Sequence, residues 1–319
     1  MKLIYFLTLI PFLNFAQSFA PPAGIIGTTA LYKDSSIFVA WANGIDFQRG
    51  YLNISNKSLG LASYGLAENA LNEAEGNSFD IVSFGDSGVA ILTFENPIQN
   101  GDGNDFAVFE NSFSDDYLEF AFVEVSSDGI NFVRFPVTSE TQTASQINGL
   151  GLSDCRYVNN LAGKYRQGYG TPFDLEELVG LVGQNTDLNN IRHVKLIDVV
   201  GSIDANFGTF DSQGTIINEP WPSEFASGGF DLDAVGVINQ YVNSLNENSL
   251  VKYISITEDE IVILNGADFD YKIYDLSGKQ FQTKENSENK ISIQNLANGF
   301  YFLNLQMKHE NKVVRFYKN

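Results

Sequence analysis

The chain has 319 residues, 44% of them hydrophobic and 13% aromatic, which is enough apolar material for the cores of about two domains. Its formal charge of −20 excludes nucleic acid as an expected partner, because nucleic-acid binding requires a basic surface. The 26 Phe and 14 Tyr residues favour strands over helices.

Residues 1–17, "MKLIYFLTLIPFLNFAQ", combine Lys2 with an apolar run and a polar end. This pattern predicts a secretory signal peptide that is too short for a stable membrane span. We expect cleavage after Gln17, although cleavage after Ala20 also fits the preference for small residues. No later apolar stretch is long enough to cross a bilayer, so no transmembrane segment is expected. The lone Cys155 cannot form an internal disulfide.

Residues 18–240 form the predicted first domain, an acidic β-sandwich of jelly-roll or discoidin-like type. Residues 18–250 carry nine Lys or Arg against thirty Asp or Glu, so the acidic excess of the chain lies here. One short helix is predicted over 170–182, with Thr171 as N-cap and Pro172 as its first residue. Asp128 and Gly129 predict a hairpin turn. The strand-like segments are 36–47, 80–98, 105–113, 118–137, 191–201 and 228–240.

The Asn-rich residues 241–250 are the predicted linker to a second domain, residues 251–319. This second domain has nine basic and nine acidic residues, and its apolar and polar positions alternate. Turn sequences at 276–279 and 298–299 separate the alternating runs. A small all-β sandwich of six or seven strands is therefore predicted.

Three stretches of the second domain carry a family resemblance: "KIYDLSGK" (272–279), "ISIQNLANGFYFLNL" (291–305) and "KVVRFYKN" (312–319). Together they resemble the type A C-terminal sorting module of the type IX secretion system. The resemblance implies export by the type IX machinery and attachment at the outer-membrane cell surface. The family's usual "NP" followed by an acid is absent before Ile254.

A second resemblance lies in the first domain, in "VSFGDSGVAILTFENPI", "GDGNDFAVFENSF", "GKYRQGYGTPFDL" and "SGGFDLDAVGVI". These segments are similar to a group of exported bacterial cell-surface proteins that is associated with cobalamin capture. The resemblance implies a surface protein with a cobalamin-like ligand, and it assigns no site residue.

A calcium site is the first interpretation of the acidic loops. In "NGDGNDFAVFE" an acidic turn leads into a Phe-rich strand that carries a carboxylate, and "GGFDLDAV" places two carboxylates on one strand face. Ca²⁺ takes six to eight oxygens from carboxylates, amides and carbonyls. The spacing is not that of an EF-hand. The candidate ligands are Asp102, Asn104, Asp105, Glu110, Asp231 and Asp233.

Two other interpretations explain the same acids without a metal. The loop residues of "NGDGND" are typical of a turn. A basic side chain opposite Asp231 or Asp233 would neutralise either carboxylate. The candidates for this ion pair are Arg134, Arg156, Lys164, Arg166, Arg192 and Lys195.

Aromatic and charged residues in 155–173 and 202–229 predict a ligand platform, because stacking rings and fixed polar groups bind sugars or large planar ligands. The alternative is that these rings cover an open end of the sandwich. The candidate ligand-binding residues are Tyr157, Lys164, Tyr165, Arg166, Tyr169 and Trp221.

Binding is favoured over catalysis. His193 is the only histidine of the first domain, and it lies within a strand pattern, so a Ser-His-Asp or zinc site is disfavoured. The expected function is a secreted or surface-attached binder of a glycan or a cobalamin-like ligand, with calcium-supported loops. The alternatives are a glycoside-active enzyme, using Glu110 with Glu124 or Asp233, and an adhesive surface protein.

Overall fold

The computed structural model describes residues 19–183, 185–241, 254–257, 259–263, 269–287, 290–307 and 310–318. The predicted signal peptide with the cleavage after Gln17, and residues 242–250 of the predicted linker, lie outside this range. The chain divides into two compact units, Met1–Tyr241 and Val242–Asn319. No helix among the described residues is long and apolar enough to cross a membrane.

The first unit is built from short strands and 3-10 helices. Its strands are β1 (Leu31–Tyr32), β2 (Ala40–Trp41), β3 (Gly44–Gln48), β4 (Val82–Ser83), β5 (Val89–Ile98), β6 (Phe106–Glu110), β7 (Ala121–Ser126), β8 (Val133–Arg134), β9 (Thr138–Ser139), β10 (Val158–Asn159), β11 (Leu161–Ala162), β12 (Tyr169–Phe173), β13 (Ile191–Asp198) and β14 (Asp231–Val237). The 3-10 helices are Ile54–Leu59, Ala67–Ala70, Cys155–Tyr157 and Leu175–Leu178.

Two antiparallel sheets enclose the main core of this unit. The first has the order β1-β12-β6-β14-β2, with β4 paired to β14. The second has the order β11-β7-β13-β5-β3, with β8 paired to β7. Side chains from both sheets fill the space between them, including Phe106, Val108, Leu92, Val123 and Leu196. This all-β sandwich confirms the predicted fold class.

The strand pairing of β6 and β14 contains a bulge that the sequence pattern does not reveal. Phe106 and Val108 face the main core, as the alternation predicts. Leu232 pairs with Glu110 and Ala234 with Phe109, so two steps along β14 match one step along β6. Asp233 is the extra residue. A bulge re-aims neighbouring side chains, so the two aspartates of β14 have different surroundings.

The predicted helix over 170–182 is wrong in its first half. Thr171 and Pro172 belong to β12 and pair with Val108 and Ala107 of β6. The helix is a single 3-10 turn, Leu175–Leu178, whose N-cap is Asp174 and not Thr171. The sequence does contain an N-cap residue, but that residue is Asp174, because its carboxylate accepts a hydrogen bond from the N–H of Glu176.

The second unit has two antiparallel sheets built from seven described strands. The strands are β15 (Ile254–Ile256), β16 (Glu260–Ile263), β17 (Phe269–Asp275), β18 (Gln280–Ser287), β19 (Lys290–Ser292), β20 (Gly299–Met307) and β21 (Glu310–Lys318). Their orders are β15-β16-β19 and β18-β17-β20-β21. Ile261, Ile273, Ile291, Leu303 and Phe316 are among the residues of their shared core. The predicted small sandwich is confirmed.

Residues of "YDLSGK" form the tight connection between β17 and β18. The Asp275 carboxylate accepts hydrogen bonds from the backbone N–H groups of Ser277 and Lys279. Gly278 has a φ of 82°, a conformation that glycine adopts at little cost. The motif is therefore a turn signature within this unit.

Candidate functional site

A pocket of about 420 Å³ lies at the edge of the first sandwich. Here β2 is the edge strand of one sheet and β3 the edge strand of the other. The chain crosses from one sheet to the other through Ala42 and Asn43, and the N–H of Asn43 donates to the carbonyl of Thr93 on β5. This volume is within the usual range of small-ligand sites.

Trp41 forms the aromatic part of the pocket wall, and its ring is fixed by its neighbours. The Phe38 and Phe109 rings lie 5.0 and 5.5 Å from it, centroid to centroid. Gly236 pairs with Trp41 across β14 and β2, and a Cβ atom at Gly236 would lie 2.9 Å from Trp41 Cζ3. The absent side chain lets the indole lie close to β14. The ring is therefore held in place without a ligand.

Polar side chains make up the rest of the pocket wall. They come from four places: the β2–β3 crossing, the loop after the 3-10 helix Ala67–Ala70, the end of β5, and the segment that follows β14. The N–H of Asn72 donates to the carbonyl of Ala42, which holds that loop against the crossing. The polar lining residues are Asn43, Asn72, Glu73, Glu95, Asn96 and Gln240.

A separate group of buried carboxyl groups occupies the first unit, and we call it the acid cluster. Its members are close enough to raise one another's pKa values, and each is at most 5% exposed. Three lie on β6, β13 and β14, and three lie in loops, one of them just before β7. The acid cluster consists of Asp86, Glu110, Glu119, Asp198, Glu219 and Asp231.

Backbone N–H groups hold most of these carboxylates. Asp198 accepts from the N–H groups of Ser87 and Phe230, and Glu219 accepts from that of Phe120. Asp86 accepts from the N–H of Ile54 and from Trp221 Nε1. Asp231 Oδ1, in contrast, is buried without a close hydrogen-bond partner among the described residues, although the Ser83 and Asn111 side chains lie near enough to this carboxyl to offset part of the rise that burial causes in its pKa. Such an orphaned oxygen carries a desolvation cost that a proton or a cation would relieve.

Burial is the main cause of the raised pKa values in the acid cluster. It raises the pKa of Asp231 to about 7 and those of Glu110, Glu119, Asp198 and Glu219 well above their usual range. Neighbouring carboxylates add to the effect, because like charges in a dry environment oppose ionisation. Folding therefore shifts these carboxyl groups towards their protonated form.

Among the described residues no salt bridge joins a candidate basic side chain to Asp231 or Asp233, although Lys33, which was not a candidate, lies near enough to Asp233 to offset part of the rise that burial causes in the pKa of that carboxyl. Arg134 and Lys195 both pair with Glu124, Arg156 pairs with Asp154, and Arg166 pairs with Asp115. Lys164 Nζ donates to the carbonyl of Val158, and burial lowers its pKa to about 8. The structure places no basic side chain in an ion pair with Asp231 or Asp233 in the described range.

The six predicted calcium ligands do not come together. Asp105 accepts from the N–H groups of Gly101 and Leu175, which fixes the acidic turn. Asp233 accepts from those of Glu75 and Gly76, and burial raises its pKa to about 6. Glu110 and Asp231 belong to the acid cluster, whereas Asp102 and Asn104 stay in the turn. Among the described residues, no three His, Cys, Asp or Glu side chains are arranged to hold a metal ion.

The six predicted ligand-binding residues do not form one exposed platform. Residues 158–173 include three strands, so their side chains alternate between the surface and the interior. Lys164 and Tyr165 are buried, and the Tyr165 hydroxyl lies 2.8 Å from that of Thr29. Tyr157 is 45% exposed. The Arg166 guanidinium lies over the Tyr169 ring, and Trp221 points towards Asp86.

The enzyme alternative stays a prediction, and both residues named with Glu110 are engaged by other groups. Glu124 lies on β7 of the second sheet and is engaged by Arg134 and Lys195, while Glu110 lies on β6 of the first sheet. Asp233 is bound by two backbone N–H groups. Asp233 nevertheless lies close enough to Glu110 to add to the rise that burial causes in the pKa of the Glu110 carboxyl.

Sequence analysis missed the pocket residues around Trp41. Residues 36–47 were predicted as one strand, but the structure divides them between β2 in one sheet and β3 in the other. The available signal was the polar Asn43, two residues after the aromatic strand residue Trp41. Its partners Asn72, Glu95 and Gln240 are far apart in sequence, and only the fold brings them together.

Comparison with known proteins identifies the second unit. Residues 253–319 match the family model described as the secretion system C-terminal sorting domain. No protein in a search of curated proteins matches the chain.

Solved structures show only distant likeness. PorZ, an essential surface component of type IX secretion in Porphyromonas gingivalis, is 15% identical over 30% of this chain and 14% of its own, with a TM-score of 0.19. The BSP domain of a biofilm-associated protein is 11% identical over 72% and 48%, with a TM-score of 0.16. A β-glucuronidase of Faecalibacterium prausnitzii is 11% identical over 90% and 46%, with a TM-score of 0.17.

This chain spans less than half the length of each of these three structures. Their TM-scores are too low to support an inference about fold or function. The family match is different, since it coincides with the sequence motifs and with the small sandwich of the second unit. Residues 253–319 are a type IX C-terminal sorting domain, and the protein is secreted by that system and attached at the cell surface.

Proposed function

We propose that the first unit is a glycan-binding domain displayed at the cell surface, and that the glycan binds in the pocket around Trp41. One observation carries the proposal: Trp41, whose indole is fixed by Phe38 and Phe109, lines a pocket whose polar side chains are amides and carboxylates. Sugar rings stack their C–H faces on aromatic rings, while their hydroxyl groups need donors and acceptors.

Several features of the pocket support binding. Trp41 is held by Phe38, Phe109 and the close approach of Gly236, so little side-chain entropy is lost when a ligand arrives. The side chains of Asn43 and Asn72 make no hydrogen bond within the described part of the chain and are available to a ligand. Amides are suited to hydroxyl groups, because each offers two donors and an acceptor.

The test is a glycan array probed with the full-length protein, followed by calorimetric titration of the glycans that bind. Trp41→Ala is expected to weaken binding by at least ~10-fold, because removing an aromatic anchor costs about 2 kcal/mol. Phe79→Ala is the matched control, since Phe79 is 72% exposed and lies outside the pocket. Binding that survives Trp41→Ala, or an array without any bound glycan, overturns the proposal.

The cobalamin-like ligand implied by the resemblance remains an alternative ligand of the same domain. Cyanocobalamin belongs in the same titration as a competitor. Saturable binding of cyanocobalamin that Trp41→Ala does not change would assign that ligand to another surface.

We also propose calcium as a cofactor of the first unit. The observation in its favour is the acid cluster, in which Asp231 Oδ1 is buried without a close hydrogen-bond partner among the described residues. If calcium neutralises these acids, EGTA is expected to lower the Tm at pH 7.5, and restoring calcium is expected to reverse the change. An unchanged Tm would remove calcium from the proposal.

A further inference from the structure

We propose that the pocket selects glycans by charge, accepting neutral and amine-bearing sugars and rejecting sugars with carboxylate or sulfate groups. This inference rests on the proposed function and specifies its ligand class. It follows from the charged side chains of the pocket wall, which are acidic and include no Lys or Arg.

Glu73 and Glu95 are the charged side chains of the pocket wall, and the wall contains no Lys or Arg. Both glutamates are exposed, and neither has an ion-pair partner among the described residues. A carboxylate or sulfate on a bound sugar would face two negative charges without a compensating cation. Like charges placed together are a common basis of specificity against the wrong ligand.

The surroundings strengthen the same preference. Residues 18–250 carry thirty acidic against nine basic residues. Arg192 lies on β13 beside β5, where the register between the two strands shifts, yet it neither lines the pocket nor forms an ion pair with Glu95. The other basic residues near the strands are engaged elsewhere, such as Arg134 and Lys195 with Glu124. An approaching anion is therefore repelled by the unit as well as by the pocket.

Neutral and amine-bearing sugars meet no such barrier. The amides of Asn43, Asn72 and Asn96 can donate to and accept from hydroxyl groups. An amine on the sugar would add a charge-assisted hydrogen bond to Glu73 or Glu95. The pocket chemistry thus ranks the amine-bearing form first, the neutral form second and the carboxylated form last.

The experiment compares neutral, amine-bearing and carboxylated forms of the same glycan backbones on one array, with full-length protein at low ionic strength. The carboxylated form is expected to bind at least ~5-fold more weakly than the neutral form, the effect of about one additional close charge repulsion in water. In the double variant Glu73→Gln, Glu95→Gln this difference is expected to shrink to within about twofold. Glu140→Gln, an exposed glutamate outside the pocket, is the matched control and should keep the full preference.

Two results overturn the inference while leaving the proposed function intact, provided that Trp41→Ala still weakens binding by at least ~10-fold. One is equal binding of the carboxylated and neutral forms by the unmodified protein. The other is a preference that the double variant retains, because the discrimination would then arise outside the pocket. If no form of any backbone binds, the proposed function and this inference both fail.

Discussion

Individual side chains in the first unit are held chiefly by backbone groups rather than by opposite charges. The Arg49 guanidinium donates to the carbonyls of Tyr64, Gly65 and Ser83, with no carboxylate involved. Glu219 accepts from the N–H of Phe120, and Asp198 accepts from two backbone N–H groups. Such bonds satisfy the hydrogen-bonding needs of buried polar groups without neutralising their charge. Each ionised acid therefore keeps the desolvation cost of a buried negative charge.

The acid cluster makes stability depend on pH. The pKa of Asp231 is raised to about 7, and that of Glu219 lies well above its ordinary value, chiefly through burial. The folded state therefore binds more protons than the unfolded state above about pH 4, and stability falls as the pH rises through the folded pKa values. We expect the Tm of the full-length protein in EGTA to fall between pH 5 and pH 8.

Glu219→Gln tests this directly. The amide keeps an acceptor for the N–H of Phe120 and cannot ionise, so the Tm of the variant should fall less over this range, by about 3 °C. The measurement is thermal unfolding at pH 5 and pH 8. An identical fall in both proteins would show that Glu219 carries no proton linkage, and a flat profile in both would contradict protonation of the acid cluster.

At the scale of elements, the pocket depends on the close approach of β2 and β14. Gly236→Ala would place a Cβ atom 2.7 Å from Phe38 Cδ1 and 2.9 Å from Trp41 Cζ3. Both rings would have to move, which we expect to lower the free energy of unfolding by ~1–3 kcal/mol. Because Trp41 then leaves its preorganised position, glycan affinity should fall at least ~3-fold.

Chemical denaturation and glycan titration measure the two effects. Gly183→Ala is the matched control, because its added Cβ meets no atom within 4 Å and its backbone is not in the left-handed region. Unchanged stability and affinity in Gly236→Ala would mean that the indole is not fixed by this contact.

At the scale of the whole molecule, export depends on the second unit, which contains the sorting domain. Deleting residues 253–319 removes the sorting domain, so the truncated protein should accumulate in the periplasm of a bacterium that has the type IX system. Surface proteolysis and cell fractionation measure its location. A signal-peptide reporter fused to residues 253–319 serves as the converse control and should reach the surface. Normal surface display of the truncated protein would contradict the assignment.

Several features of this fold could be predicted from residues that are close together in the sequence. The alternation in 105–113 correctly placed Phe106 and Val108 in the core, and Asp128 with Gly129 correctly marked the hairpin, where Gly129 has a φ of 74°. In the second unit, "YDLSGK" predicted a turn that the Asp275 carboxylate closes. Each of these features depends on neighbours within a few residues, so periodicity and turn chemistry suffice to identify it.

The candidate sites depend on contacts between distant residues. Convergence of acids from separate loops was expected, but four members of the acid cluster, Asp86, Glu119, Asp198 and Glu219, were not among the predicted residues. Asp105 and Asp233 were predicted as calcium ligands, but their carboxylates accept hydrogen bonds from backbone N–H groups instead.

By itself the sequence determined the β-sandwich class, the acidic character of the first unit and the sorting domain, because alternation, charge and linear motifs are local properties. Only the tertiary structure decided that Trp41 lines one pocket with Asn72 and Gln240 and that Lys164 and Tyr165 are buried. A strand's period of two does not say which sheet it joins, where a bulge falls or which distant loop covers it, and those choices place the side chains of a site.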